Sequence, residues 1–148
     1  MTGDVIPDGG DVSPTLALRA AALAALLADG PLMALLGGPR VWDHAPHGAA
    51  GLYVIVGPAE ARDRSAGDRR IESQRLTLTV WGPPGGALAV MQAAARIRTL
   101  LDDAGLSLAG RELALLRVIR ESVDRDARSG AARARLVLAA VTVAPAAG

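Results

Sequence analysis

The stretch from Arg40 to Gly82 constrains the fold of this chain more than any other. Two strand-like runs, Leu52–Ala61 and Ile71–Trp81, flank a polar loop carrying Arg62, Arg64, Arg69 and Arg70. The first run contains the block Tyr53-Val54-Ile55-Val56, and the second alternates Leu76-Thr77-Leu78-Thr79-Val80. Apolar and β-branched runs on either side of a polar, Gly-containing loop predict a long hairpin. Such a hairpin needs a second layer over its apolar side. The segment contains no catalytic set, so it reads as a scaffold presenting charge.

The second layer is legible on both sides of the hairpin. Ser13 followed by Pro14 predicts a helix start, a side-chain cap with proline at the first helical position. That helix runs to about Asp29, with Leu16, Leu23, Leu26 and Leu27 as its apolar stripe, and Gly30-Pro31 ends it. Leu32–Leu36 reads as a short helical turn before Gly37-Gly38-Pro39, and Val41-Trp42 as a candidate short edge strand. Gly82-Pro83-Pro84-Gly85-Gly86 closes the hairpin. A second helix is expected over about Ala87–Ala104, with Leu88, Met91, Ile97, Leu100 and Leu101 inward and Arg96 and Arg98 turned away or snorkelling. Two further strands, Arg111–Asp124 and Ala131–Val143, are joined by the turn Arg125–Gly130. The expected architecture is α+β: a four-stranded, mainly antiparallel sheet of two hairpins, packed by two helices on one face. The expected organisation is one domain over 13–144, with a mobile tail at 1–12 and a short tail at 145–148.

Composition narrows the function classes. With 148 residues and 51% apolar content the chain can build one globular core. Aromatic residues make up only 2% and Phe is absent, so Leu, Val, Ile and Ala must fill that core. A soft, Ala-rich core of this kind gains from a large subunit interface. The net charge of +1 gives no global field for nucleic acid. All 16 basic residues are Arg, a compositional bias of a GC-rich genome that weakens the meaning of any single arginine. The absence of Cys excludes disulfides and thiolate chemistry. The start, MTGDVIPDGGDVSP, lacks the basic and apolar regions of a signal peptide. The apolar run Leu16–Leu27 is interrupted by Arg19 and is too short to span a bilayer. A soluble protein made in the cytoplasm, with no membrane partner, is expected.

A search for chemistry leaves little. His44 and His47 sit three apart beside Asp43, but Pro46 prevents a helix that would give them a fixed geometry. No nucleophile elbow is present. The Gly82–Gly86 passage lies where a phosphate loop would, yet it lacks G-K-[ST], and two prolines remove N–H donors. No catalytic residue, cofactor site or metal site is assigned. The remaining candidates are arginines at a subunit or partner interface. Arg62, Arg64, Arg69 and Arg70 belong to the hairpin loop, and Arg133 and Arg135 alternate with Ala132 and Ala134 on one strand face. Arg117, in the opposing strand, is a candidate for that same face. No aromatics are interleaved with the loop arginines to stack bases, so DNA contact there would be through phosphates and not sequence-specific. Trp42 and Trp81 read as core or interface anchors, and Trp81 as capping the core at its strand end.

The order of these pieces resembles the tail terminator, or tail-completion, family of long-tailed bacteriophages, prophages and phage-derived gene transfer agents. The resemblance covers about Leu16–Val143. It rests on the passage Leu32–Pro46 after the first helix, LYVIVG at Leu52–Gly57, and LTLTVWGPPGG at Leu76–Gly86 opening the second helix. An L-x-G-x-x-L passage at Leu108–Leu113 then leads to the last two strands. The family's turn before the final strand commonly carries an R-x-x-D-G-like run; ESVDRDARSGAARARL departs from it. The resemblance implies a non-enzymatic ring subunit without a cofactor, typically hexameric. Such a ring caps the finished tail tube and joins it to the head-side connector, and DNA passes through the lumen. Its partners would be further copies of itself, the tube protein and the connector, in the bacterial cytoplasm during assembly and then in the particle neck. Two other readings compete: a neck stopper or head–tail adaptor, which is also small and ring-forming, and a small ligand-binding or enzymatic α+β domain.

Overall fold

The computed structural model describes residues 13–145; the expected mobile tail at 1–12 and most of the C-terminal tail lie outside the described residues. The chain runs α1 (Pro14–Leu27), α2 (Gly30–Leu36), β1 (Val41–Trp42), β2 (Tyr53–Asp63), β3 (Ile71–Pro84), α3 (Ala87–Leu101), β4 (Glu112–Arg125) and β5 (Ala131–Val143). The strands form one sheet in the order β1-β2-β3-β5-β4. β1 pairs parallel to β2 through Val41↔Val54 and Trp42↔Ile55, while every other pair is antiparallel. This corrects the expected four-stranded, mainly antiparallel sheet with two helices: among the described residues the sheet is five-stranded and mixed, and there are three helices. Both extra elements are short: β1 joins the sheet only through its pairing to β2, and α2 stands on local capping. Asp29 accepts a hydrogen bond from Leu32 N (2.9 Å), Pro31 opens the first turn, and Gly37 takes the left-handed conformation that ends α2 after seven residues. Both elements were expected locally, as a helical turn at Leu32–Leu36 and an edge strand at Val41-Trp42, but elements of seven and two residues give too little pattern to be counted into the layers from sequence.

The two hairpins join through their inner strands, β3 and β5, which run together from Ile71↔Val143 to Pro84↔Ala131. On β3 the even residues from Glu72 to Gly82 are buried, and on β5 the even residues from Ala132 to Thr142. α1 and α3 cover this side, and α2 packs beside them. The buried apolar residues are Leu, Val, Ile and Ala throughout, with no aromatic among them. α3 can approach closely because Gly82 lies beneath it: a Cβ there would stand 2.7 Å from Val90 Cγ1.

The phases of the two long helices differ from expectation. α1 buries Ala17, Leu18, Ala22 and Leu26, and leaves Leu16 and Leu27 exposed. α3 buries Val90, Ala93, Ala94, Ile97 and Leu101, while Leu88 is 68% exposed and Met91 43%. Alanines face the sheet because small side chains let these helices pack close. In sequences apolar on nearly every side, spacing alone cannot decide which face turns inward. Arg96 is not turned away. It forms a two-pronged pair with Asp29 (2.7 and 2.8 Å), so one carboxylate caps α2 and ties it to α3. Hydrogen bonding from Arg96, reinforced by the Leu32 N–H, holds the Asp29 carboxyl below its ordinary range.

Candidate functional site

The β2–β3 turn is held by its own small residues. Asp63 accepts from Ser65 N (2.9 Å) and from the Ser65 hydroxyl (2.5 Å), and the same hydroxyl accepts from Ile71 N (3.1 Å). These Ser65 bonds, hydroxyl first, and the charge of Arg70 lower the Asp63 pKa. Ala66 and Arg69 exchange backbone hydrogen bonds, and Gly67 takes a positive φ between them. The turn is thus fixed by backbone and short side chains, which leaves the arginine side chains projecting. Arg64, Arg69 and Arg70 lie in the turn, whereas Arg62 belongs to β2 and pairs across to Ser73. The protruding part is short, since β5 accompanies β3 as far as Ile71↔Val143.

Charge is unevenly left over at this corner. Seven ion pairs tie other arginines to Asp or Glu, and none of them includes Arg62, Arg64, Arg69, Arg70 or Arg75 among the described residues. Arg62, Arg64 and Arg75 line a cleft of about 230 Å³ with Glu60 and Ser73. On the helix side, Arg62, Arg70 and Arg111 border a second cleft of about 260 Å³ with Asp63, Glu72 and Ser65. Set against Glu60, Asp63 and Asp68, which also stand outside those seven pairs, the corner keeps a small local surplus of guanidinium groups, suited to carboxylates or phosphates.

Beneath the corner lies a buried polar group of four. Gln74 Nε2 donates to Thr142 Oγ1 (2.8 Å), and Thr142 donates on to Glu72 Oε1 (2.9 Å). Arg111 Nε stands 3.1 Å from the same Glu72 oxygen, with only 3% of the arginine side chain exposed. That approach lacks hydrogen-bond alignment, and Gln74 Oε1 is also without a partner. The signal for this group was in the sequence: Glu72 and Gln74 continue the inward register of Leu76 and Leu78.

Arg133 and Arg135 lie elsewhere. Trp81 and Ile71 are separated along β3 by roughly 30 Å at about 3.3 Å per residue, and Arg133 pairs with Trp81 at the far end. The six predicted interface arginines thus form two groups, not one site. Arg133 grips Asp124 in two-pronged fashion (2.7 and 3.0 Å) while its guanidinium lies 5.3 Å over the Trp81 ring. The Arg133 bond holds Asp124 below the ordinary carboxylate range, and Asp124 raises Arg133 in turn. Arg135 is exposed opposite Thr79 and Ser122. Arg117 stands opposite Ala139 but directs its Nε to Asp102, 3.3 Å away.

Trp81 does not cap the core as expected; it stands on the face that the helices leave open. Tyr53 is its register partner, Trp42 stacks 5.7 Å from Tyr53 in a tilted arrangement, and Arg40 lies 5.5 Å over Trp42. All three aromatic residues of the chain fall in this row. His44 and His47 are exposed, and among the described residues no three His, Cys, Asp or Glu side chains converge as metal ligands.

Comparison with known proteins adds identity to this geometry. The model of the family described as Tail completion protein gp17 matches residues 20–143. A solved chain from the virion of a native gene transfer agent particle is 30% identical, with a TM-score of 0.82 over 90% of this chain and 99% of that one. A second solved chain, 21% identical, shares the fold with a TM-score of 0.59 over 93% of this chain and 100% of its own length. Curated protein sequences give no match.

Proposed function

This chain belongs to the tail completion protein gp17 family and is a structural protein of a phage-type tail; within that role we propose that it forms a closed hexameric ring at the head-proximal end of the tail. The ring ends the tube at its finished length and joins it to the head-side connector, and DNA passes through the lumen. The observation that carries this reading is the end-to-end match to a chain of a gene transfer agent virion. Identical subunits in head-to-tail contact close into rings when the rotation closes, and each subunit then offers two different surfaces to its neighbours. The unpaired arginines at the β2–β3 corner supply one such surface, directed at carboxylates of a neighbouring subunit, the tube or the connector. Mixed charge in the lumen lets DNA slide, where an unbroken basic lining would hold it.

Native mass spectrometry and negative-stain images of the purified protein test the ring directly, and a persistent monomer refutes it. Loss of the gene is expected to give tails of uncontrolled length or heads without tails. Normal joined particles would refute the terminating role. Changing Arg64, Arg69 and Arg70 together to Ala is expected to weaken assembly while leaving the thermal melt of the monomer unchanged. Assembly at the wild-type level would return the corner to a solvated loop.

A further inference from the structure

The sheet face that the helices leave open is basic. By strand register its outward positions hold six arginines, Arg62, Arg75, Arg117, Arg120, Arg133 and Arg135, against three acids, Glu60, Glu112 and Asp124. That is a surplus of three on one face of a chain whose net charge is +1. Two of the six arginines are taken, Arg133 by Asp124 and Arg117 by Asp102. The other four are exposed and belong to none of the ion pairs among the described residues, although Arg135 helps to hold the Asp124 carboxyl down. They stand one to a row in four consecutive outward rows. Arg62 lies opposite Ser73, Arg75 is on β3 itself, Arg120 shares the row of Thr77 and Val137, and Arg135 lies opposite Thr79. At about 3.3 Å per residue and about 4.8 Å between strands, neighbours along this track are roughly 8, 12 and 8 Å apart, and the track is about 20 Å long. Half-buried hydroxyls at Ser73, Thr77 and Ser122 lie in the same rows. Two clefts of about 440 Å³ and about 230 Å³ share Glu60 and Arg75 and form a furrow from Val137 to Arg64.

We propose that this track meets the phosphate backbone of DNA, so that the open sheet face of each subunit is the one turned to the lumen. This rests on the ring reading above and names the face that its DNA would touch. Guanidinium and hydroxyl groups contact phosphate oxygens without reading bases. A duplex carries a phosphate about every 3.4 Å along each strand, so each row of the track finds one without a fixed register. The track is also interrupted. Glu60 stands directly opposite Arg75, and Val137, Ala139 and Val141 occupy the outward positions of β5 between the arginines. Such a face attracts DNA without holding it at one place. The row of Tyr53 and Trp81 lies beyond Arg135, with Arg133 over the Trp81 ring, so no aromatic stands within the track to stack a base. An acidic protein surface is the other partner that charge alone would allow. A second copy of this chain suits that role poorly, because seven of the twelve acidic side chains among the described residues are already in ion pairs. An extended furrow with hydroxyls along it suits a uniform polyanion more than one anchored carboxylate.

The test follows the fluorescence anisotropy of a short labelled DNA duplex of mixed sequence with the full chain. The face variant is Arg75→Gln with Arg120→Gln and Arg135→Gln. The control, Arg19→Gln with Arg98→Gln and Arg128→Gln, removes the same charge from the helix layer and the β4–β5 turn. Wild type is expected to bind at about 50 mM salt and to weaken steeply towards about 200 mM. The face variant should bind at least about tenfold more weakly at the lower salt and show a flatter salt dependence, since it releases fewer counterions. The control should stay within about threefold of wild type, and Lys at the three face positions should restore most of the binding, because phosphate contact needs the charge more than the fork. All variants are expected to keep the circular dichroism spectrum and the wild-type assembly state by native mass spectrometry. No binding by wild type, equal losses in the two Gln variants, or undiminished binding by the face variant overturns the proposal and leaves the ring reading standing. A monomeric wild type whose DNA binding the face variant loses supports the track and refutes the ring. A face variant that fails to assemble while the control assembles assigns the face to a subunit contact and overturns the proposal. Displacement of the duplex by polyglutamate or anionic lipid vesicles at equal charge assigns the face to an acidic protein or a lipid surface, and also overturns it.

Discussion

Replacing Arg111 with Met is expected to destabilise this fold more than any change at the exposed arginines. The guanidinium is 3% exposed and faces Glu72, whose carboxylate is 11% exposed and otherwise accepts only from Thr142. Removing one partner of a buried pair leaves the other charge uncompensated, at a cost of about 3–5 kcal/mol. The misaligned approach of Arg111 Nε and the unpartnered Gln74 Oε1 place the value near the lower end, about 3 kcal/mol. With a urea m-value of about 2 kcal/mol/M, the unfolding midpoint should fall by roughly 1.5 M. The thermal midpoint should fall by about 6–12 °C. The decisive measurement is a double-mutant cycle with Glu72→Gln. If the pair is one unit, the double variant loses less than the two single losses together, with an interaction of at least about 1 kcal/mol. Additive losses, or an Arg111→Met change below about 1 kcal/mol, would refute the reasoning. The group also has a positional consequence. Glu72 adjoins Ile71, the first sheet residue after the arginine turn, so the cluster pins the corner to β5 and to the start of β4. Amide exchange at Arg64–Arg70 should therefore quicken in Arg111→Met.

Three smaller predictions follow from the packing. Gly82→Ala places a methyl 2.7 Å from Val90 Cγ1 and should cost about 1–3 kcal/mol by chemical denaturation; no loss would mean α3 can shift freely. Asp29 has a lowered pKa in the fold, so its contribution is present above the unfolded value near 4 and is lost as pH falls through the folded value. Asn at position 29 retains the cap but not the charge, so the variant should show a shallower decline of the urea midpoint between about pH 5 and pH 2; a parallel decline would remove Arg96 from the account. Asp124→Ala frees Arg133 from its two-pronged hold, and the emission of Trp81 in a Trp42→Phe background should change as the cation leaves the ring; an unchanged spectrum would show that Trp81 and Asp126, 3.8 Å from Arg133, hold the guanidinium without Asp124.

The strands were legible because β2, β3, β4 and β5 are long and bounded by turns, and their predicted limits fall within a few residues of those observed. β1 and α2 were legible as a short edge strand and a helical turn, but not as a fifth strand and a third helix, because pairing to Val54 and capping by Asp29 decide that rather than composition. The helix phases failed for a different reason. In α1 and α3 apolar residues occupy both the inward and the outward positions, so a rule that sends the largest side chains inward chose Leu16, Leu88 and Met91. The fold buries Leu26, Ile97 and Leu101 as expected, but fills the rest of the inward face with Ala17, Leu18, Ala22, Val90, Ala93 and Ala94 and leaves Leu16, Leu27, Leu88 and Met91 outside. That failure carries information. Large apolar side chains on solvent-facing positions bring no gain to a monomer, whereas each one buried by a neighbour contributes about 1.5–3 kcal/mol. The same holds for the aromatics: a chain with only two Trp and one Tyr places all three outside its core, on the open sheet face. The positions where sequence reasoning misplaced the core are therefore the ones that point to an assembled protein, and the arginine corner is only one part of that surface.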